Sequence, residues 1–149
     1  MGQSLSQMYI HLVFGTKGRQ PRITLAVEER LHAYMAGILK SMECPALKIN
    51  SVPDHIHLLF KLSKNEALAK VVEQVKKQSS KWMKENGVEG FTWQIGYGAF
   101  SVSRYNVEMV TNYIIRQKEH HKVHTFQDEI EQYVKEFVFT DYDARFFWD

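Results

Sequence analysis

Two histidines separated by one residue, His55 and His57, have the types and the spacing that a metal-dependent reaction could use. In a β-strand, residues i and i+2 point to the same face, so both imidazoles can bind one metal ion. They follow a Pro53-Asp54 turn, where a strand begins and its side chains can be reached. Two histidines leave a divalent ion short of ligands, so such a site needs a third ligand from elsewhere. The alternative is a pair of ordinary, half-buried histidines.

Tyr113 and Gln117 lie four residues apart in a segment with helical periodicity, which places them on one helix face. A tyrosine hydroxyl there can be a nucleophile, and the glutamine carbonyl can be a metal ligand. His121 extends the same face by one more turn. A core tyrosine beside a surface glutamine is the more ordinary explanation of this spacing. The chain has seven tyrosines, so spacing alone does not select one.

Two further groups of residues could bind ligands. His120, His121 and His124 form either a second metal cluster or a polar helix end with cations near the negative pole of its dipole, and the latter is favoured. Basic side chains after the first predicted strand and on one face of the second predicted helix could contact phosphates, or they could simply be solvated. These candidate DNA-binding residues are Lys17, Arg19, Arg22, Lys70, Lys77 and Lys81.

The composition is that of an ordinary globular protein. The chain has 149 residues, of which 44% are hydrophobic and 24% charged, so we expect one folded domain over residues 1–149. The single cysteine, Cys44, cannot form an intrachain disulfide, which fits a reducing compartment. No apolar run approaches the ~18 residues of a membrane helix, and the first residues lack a secretory pattern. We therefore expect a cytoplasmic protein.

Charge is unevenly distributed along the chain. The net formal charge is +2, but residues 1–22 carry three bases and no acid, and residues 64–122 carry ten bases and six acids. Residues 123–149 carry two bases and seven acids. Basic surfaces attract polyanions, and an acidic tail can shield or mimic them. On charge alone, an ordinary solvated surface is the favoured interpretation.

The elements that must position these residues follow from hydrophobic periodicity and turn residues. The predicted order is strand, helix, strand, strand, helix, strand and then extra helices. That order is typical of an α+β, ferredoxin-like (split βαβ) fold: an antiparallel sheet with helices on one face, here followed by a C-terminal helix, which carries Tyr113 and Gln117, and a tail. The predicted strands are 8–16, 46–52, 56–62 and 91–102; the later helices are 103–121, begun by Ser103, and a weaker one over 126–139.

Five stretches, taken in order, resemble the small insertion-sequence transposases of the single-tyrosine HUH endonuclease family, including REP-associated tyrosine transposase-like relatives. V-P-D-H-I-H-L-L-F (52–60) resembles their His-hydrophobic-His metal motif. The stretches 96–103 and 112–121 resemble the catalytic-helix region of the family. The stretch 11–19 resembles its first strand and turn, and the stretch 76–82 resembles its second helix. Each stretch is weak alone, but the ordered set is specific. His120-His121 resembles a variant branch that includes domesticated relatives.

The resemblance implies a ferredoxin-like fold and a metal-dependent enzyme that cleaves and rejoins single-stranded DNA through a covalent 5′-phosphotyrosine. By motif match, Tyr113 is the nucleophile, with Tyr105 as a rival near the helix start. The metal, Mg²⁺ or Mn²⁺, is implied to be held by His55, His57 and Gln117, without an organic cofactor. The implied partner is single-stranded DNA, as hairpin element ends.

The resemblance also implies a homodimer whose active sites each combine two subunits. Phe14 and Phe60, which one sheet face would not fully bury, add to the expectation of a dimer. Two other functions stay open: a non-catalytic or domesticated nucleic-acid-binding relative on the same fold, and a metal-dependent hydrolase without a covalent intermediate. A denaturation-resistant protein–DNA adduct distinguishes the enzyme that forms a phosphotyrosine from both of these alternatives.

Overall fold

One antiparallel sheet of four strands organises the chain, whose computed structural model describes residues 2–149. The strands are β1 (Met8–Gly15), β2 (Ala46–Val52), β3 (His55–Leu62) and β4 (Gly98–Val102), in the spatial order β2-β3-β1-β4. Each neighbouring pair is antiparallel, with β1 and β3 in the centre. Together with the helix order, this confirms the predicted ferredoxin-like, α+β architecture.

Six α-helices are described, and none is long and apolar enough to cross a membrane within residues 2–149. Two short 3₁₀ turns, Lys17–Arg19 and Arg104–Asn106, follow β1 and β4. The helices are α1 (Leu25–Ser41), α2 (Leu68–Glu85), α3 (Val107–Ile115), α4 (Gln117–His120), α5 (Phe126–Glu136) and α6 (Ala144–Phe147).

The two faces of the sheet carry different side chains because successive residues of a strand alternate in direction. Ile10, Leu12 and Phe14 of β1 join Ile56, Leu58 and Phe60 of β3 in the main core, against α1 and α2. The intervening residues, among them the histidines, point to the opposite face. Phe14 and Phe60 are fully buried in this core. They therefore form no apolar surface for a dimer, and that part of the argument for one is wrong.

The second face of the sheet is covered by the segments that follow β4. Val13 packs there with Phe126, Ile130 and Tyr133 of α5. Gly15 permits the close approach, since a Cβ at this position would lie 2.6 Å from a ring carbon of Phe126. A capping box at Thr125 begins α5, which fixes where its inward side chains meet the sheet. The second face is thus closed by the C-terminal part of the chain.

Two predicted elements differ in extent from the structure. The strand predicted over 91–102 begins only at Gly98, and the preceding residues form a loop with one bridge between Trp93 and Thr16. This loop is held by Lys76, whose ammonium donates to the carbonyl oxygens of Gln94, Ile95 and Gly96 at 2.6, 2.9 and 3.0 Å.

The helix predicted over 103–121 is interrupted. It begins with a 3₁₀ turn, and Arg116 then adopts φ −88° and ψ 13° between α3 and α4. Tyr113 and Gln117 consequently belong to two short helices rather than one.

Candidate active site

The histidine pair His55 and His57 lies on the second face of the sheet, and both side chains are fully buried. Their position on β3, a central strand, fixes the backbone on both sides. A third histidine, His11 of β1, joins them, with its Nε2 2.8 Å from Nδ1 of His57. Burial beside His57 lowers the pKa of His11 to about 3, so this ring is neutral. The strands therefore present three imidazoles as one rigid group.

One buried carboxylate, Glu129 of α5, lies among these rings. Its Oε1 is 3.2 Å from Nε2 of His55 and 3.0 Å from Nε2 of His57. The same oxygen is 3.2 Å from Nε2 of His121, which follows α4. Burial alone would raise the pKa of Glu129, but His57, His121 and His55 outweigh it and hold that pKa far below its ordinary value. Glu129 is therefore a carboxylate anion surrounded by imidazoles.

The histidine pKa values shift in opposite directions within this group. Burial lowers the pKa of His57, and Glu129 opposes this only in part. Burial also acts to lower the pKa of His55, but hydrogen bonds to Asp54 and Glu129 outweigh it and raise the pKa. His55 has two carboxylates to oppose the effect of burial, whereas His57 has only one. The pKa values of these two histidines, which are neighbours on the same strand face, therefore shift in opposite directions.

The outer nitrogen of each ring is already engaged. Nδ1 of His55 lies 2.7 Å from Oδ1 of Asp54, and Nδ1 of His121 lies 2.7 Å from the His124 carbonyl oxygen. Nδ1 of His57 contacts His11. Metal-binding histidines are commonly oriented by such a partner on the outer nitrogen. The Nε2 atoms of all three rings and a Glu129 oxygen lie within 4.8 Å of one another, so this donor set fits a divalent metal ion.

Tyr113 reaches the same group from α3. Its hydroxyl donates a hydrogen bond to Oε2 of Glu129 and accepts one from the Tyr133 hydroxyl at 2.6 Å. Burial and the Glu129 charge raise the pKa of Tyr113 above its ordinary value. Its ring centroid is 5.9 Å from that of His57, so the tyrosine and the histidines meet within one chain.

Gln117 is buried in the same group despite the interruption at Arg116. Its Nε2 donates to Oε2 of Glu129 at 3.3 Å. Its Oε1 is buried and has no hydrogen-bond partner among residues 2–149. A buried amide oxygen left without a partner in the group around Glu129 has the chemistry of a metal ligand.

Comparisons with known proteins identify the family and the fold of the chain. The family model for IS200-like transposases matches residues 4–117. The chain belongs to this family. Among solved structures, it resembles a protein of Deinococcus radiodurans R1 assigned as a transposase, with a TM-score of 0.64 and 21% identity over 78% of this chain and 96% of that one. It also resembles a REP-associated tyrosine transposase bound to a REP hairpin, with a TM-score of 0.62 and 12% identity over 81% of this chain and 72% of that one. No protein of curated function matches the chain.

The basic residues predicted to bind DNA lie outside the group around Glu129. Lys70, Lys77 and Lys81 are exposed on α2, which packs on the sheet face opposite the histidines. Lys70 and Lys81 form exposed ion pairs within α2, with Glu73 at 3.7 Å and Glu85 at 3.9 Å. Such pairs contribute little to stability, so both lysines stay available to phosphates.

The basic residues after β1 differ among themselves. Lys17 is exposed. The Arg19 guanidinium lies 4.6 Å from the centre of the Trp148 ring and donates to Gln127 at 2.9 Å. Arg22 donates to the Glu89 carbonyl oxygen. Both arginines thus already have partners within the chain.

Tyr105, the rival tyrosine, lies outside the site. It belongs to the 3₁₀ turn before α3 and its side chain is 96% exposed. It makes no part of the group around Glu129, whereas Tyr113 does. The structure thus brings together His55, His57, Tyr113 and Gln117 and leaves Tyr105 apart.

Sequence reasoning missed His11, Glu129 and Tyr133. A signal for Glu129 was present, since Phe126, Glu129, Ile130 and Tyr133 follow the i, i+3, i+4, i+7 spacing of an inward helix face. An acid on such a face needs a buried partner, because an unpaired buried charge is costly. The identity of that partner depended on contacts 72 residues away along the chain, which no local pattern reveals.

Proposed function

We propose that this IS200-like transposase is a metal-dependent enzyme that cleaves and rejoins single-stranded DNA through a covalent 5′-phosphotyrosine on Tyr113. The observation that supports this most is the convergence of the Tyr113 hydroxyl and the His55–His57 pair on one buried carboxylate. A nucleophile and a candidate metal site thus lie side by side in a single chain.

His55, His57 and Gln117 are the proposed ligands of the metal, Mg²⁺ or Mn²⁺. Two imidazole nitrogens face inward, and the Gln117 amide oxygen is buried without a partner among the described residues. When bound, a divalent cation polarises the scissile phosphate and stabilises the charge that builds up on it. The protein's part is to hold these donors rigidly, with Asp54 and His11 fixing the two rings.

Tyr113 performs the covalent step. Its oxygen attacks phosphorus and forms a phosphotyrosine, while the bond to the 3′ oxygen breaks and that oxygen leaves as a hydroxyl with a proton from water. Glu129 Oε2 already accepts the tyrosine hydrogen bond and can pass the Tyr113 proton on to water, which replaces the proton taken by the 3′ oxygen; its low pKa means that Glu129 does not keep that proton. The new bond retains the phosphodiester energy, so a 3′ hydroxyl can reverse the step without ATP.

Local electrostatics around Tyr113 support a role for a cation near the proposed nucleophile. Burial and the negative charge of Glu129 raise the pKa of Tyr113, so the hydroxyl is protonated in the arrangement described. Positive charge at the histidine pair opposes both effects and favours the phenolate. The surroundings of Tyr113 therefore support the proposed metal dependence, as the histidines do.

The proposed substrate is single-stranded DNA, presented as hairpin element ends. A relative of similar fold is bound to a REP hairpin, which supports this substrate class. Lys17, Arg19, Arg22, Lys70, Lys77 and Lys81 are proposed to contact its phosphates. Because α2 lies across the sheet from Tyr113, a strand that reaches both must pass around a sheet edge.

A homodimer is proposed on the family resemblance alone. The histidines and the tyrosine helix that the family draws from two subunits are already together in one chain. Light scattering with and without DNA measures the assembly, and a monomer in both conditions contradicts the dimer without affecting the chemistry.

The experiment that tests the proposed function is an adduct assay. The protein is incubated with single-stranded hairpin DNA and Mn²⁺ or Mg²⁺, denatured, and separated by electrophoresis. A covalent protein–DNA band that EDTA abolishes supports the proposal. DNA binding without any band supports the non-catalytic relative, and cleaved DNA without a band supports a hydrolase that forms no covalent intermediate.

A further inference from the structure

We propose that Glu129 and His121 are additional ligands of the catalytic metal, so that the segment after α4 completes the metal centre. This inference rests on the metal-dependent function proposed above and names more of the same site. The family pattern matches only residues 4–117, and both of these residues follow it. The family resemblance implies three metal ligands, His55, His57 and Gln117. With Glu129 and His121 added, the geometry points to five.

The first step of the argument is the placement of Glu129. Its side chain is 1% exposed, although an ionised carboxylate is among the costliest groups to bury. Three Nε2 atoms, from His55, His57 and His121, lie 3.0–3.2 Å from its Oε1. A single carboxylate oxygen thus has three imidazole nitrogens around it, which is more than a hydrogen-bonded ion pair requires.

The second step concerns which nitrogens carry hydrogen. The Nδ1 of His121 faces the His124 carbonyl oxygen, and the Nδ1 of His55 faces the Asp54 carboxylate. Both partners can only accept a hydrogen bond, so each Nδ1 must donate. In a neutral imidazole, the other nitrogen, Nε2, then carries a lone pair.

The third step follows from where those lone pairs point. The Nε2 atoms of His55 and His121 are 3.1 Å apart, and each is 3.2 Å from Glu129 Oε1. Three acceptors that converge at this distance repel one another unless a proton on one of the rings or a metal ion lies among them. A divalent cation bound to all three satisfies every lone pair at once, and each ring keeps its hydrogen bond on Nδ1.

The donor set also indicates the class of metal. Three imidazoles and one carboxylate, with the Gln117 amide oxygen, contain more nitrogen than Mg²⁺ prefers. First-row transition ions accept imidazole readily, and Mn²⁺ accepts carboxylate oxygen as well. A five-residue site should therefore bind Mn²⁺ more tightly than Mg²⁺.

The alternative role for Glu129, a counter-ion of the histidines rather than a metal ligand, predicts the opposite effect of its removal on metal affinity. If its charge only neutralises the histidines in place of a metal, it competes with the cation, and removing that charge strengthens metal binding. If Glu129 is a ligand, removing the charge weakens binding. The sign of the change therefore decides between the two.

The test measures Mn²⁺ binding by the full-length protein without DNA, through the electron paramagnetic resonance signal of free Mn²⁺. We expect Glu129→Gln and His121→Ala each to raise the Mn²⁺ Kd by more than about a hundred-fold, because loss of a group that only orients a ligand already costs about ten- to hundred-fold. The matched control is Glu131→Gln, which removes the same charge from an exposed position of α5 and should leave the Kd unchanged. Circular dichroism verifies that each variant is folded.

A Kd that falls, stays unchanged or rises by no more than about a hundred-fold in both variants overturns the inference, since the two residues would then at most orient ligands. If Glu129→Gln does not fold, His121→Ala and X-ray absorption of the Mn²⁺-loaded wild type decide: three imidazole ligands support the inference and two overturn it. Adduct formation by the wild type is measured separately. Failure of the inference with an intact adduct leaves the proposed function standing, whereas wild type that binds no Mn²⁺ contradicts both.

Discussion

The hydroxyl of Tyr113 donates a hydrogen bond to Oε2 of Glu129, and the other oxygen of that carboxylate contacts the His55–His57 pair. The two residues are 16 positions apart in sequence and belong to different helices. One carboxylate therefore connects the proposed nucleophile to the proposed metal ligands. This relationship makes the effects of single substitutions in the site separable.

Replacing either strand histidine should remove chemistry and spare DNA binding. We expect His55→Ala and His57→Ala each to abolish cleavage, because metal capture depends on this pair while DNA binding depends on cations elsewhere. Both are measured by adduct formation and by a gel-shift titration. The control is His124→Ala, an exposed histidine whose ring lies outside the group around Glu129. Cleavage at the wild-type rate by either strand variant would remove the pair from the mechanism.

The lysines of α2 should act on affinity alone. We expect Lys77→Ala and Lys81→Ala each to reduce the slope of log K against log salt by about 0.7, the value for one phosphate contact with a single strand. At saturating DNA, adduct formation should be unchanged. Lys40→Ala on α1 removes the same charge as a control. If the slope is the same in all variants, the α2 face is solvated and binds no DNA.

Close packing of α5 on β1 should be sensitive to one methyl group. A Cβ on Gly15 lies 2.6 Å from Phe126 Cε2 and 3.1 Å from the Asp54 carbonyl oxygen, so Gly15→Ala forces α5 outward. We expect a loss of about 1–3 kcal/mol in the free energy of unfolding, measured with urea. Gly37→Ala in α1, where a Cβ meets nothing within 4 Å, should instead stabilise by about 0.5–1 kcal/mol. Equal stabilities for the two variants would contradict the packing of α5.

His32 should make the fold sensitive to acid. Burial lowers its pKa from 6.5 to about 4, while its Nε2 lies 2.7 Å from the Ser51 hydroxyl. Between these two pH values the unfolded chain binds a proton that the folded chain does not, so stability falls as pH falls through this window. As the pH is lowered from 6.5 to about 4, we expect the free energy of unfolding of the wild type, measured with urea, to decrease relative to that of His32→Gln. A difference independent of pH would show that His32 titrates alike in both states.

Local patterns in the sequence predicted the scaffold well. Alternation in the first strand, together with Pro45 and the Pro53-Asp54 turn, identified β2 with its observed bounds and placed β1 and β3 within one residue. The two-residue period of a strand predicted that His55 and His57 share a face. The interruption at Arg116 was not visible, since the i, i+4 spacing of Tyr113 and Gln117 is the same with and without it.

What the sequence could not reveal is which distant segment closes the site. The pairing of Glu129 with His57 spans 72 residues and depends on how α5 crosses the sheet. Periodicity reports which side of a helix faces inward, but not the surface it meets. The partners of Arg19 and Arg22 were missed for the same reason, because both arise from contacts with distant loops and the C-terminal segment.

The assignment of Tyr113 as the nucleophile is tested most directly by mapping the covalent adduct. Tyr113→Phe keeps the ring and deletes only the hydroxyl, so the variant should fold and bind DNA but form no adduct. In the wild type, fragmentation of the nucleotide-bearing peptide by mass spectrometry should locate the nucleotide on Tyr113 itself. A nucleotide on Tyr105 or Tyr133, or an adduct formed by Tyr113→Phe, would contradict the assignment of Tyr113.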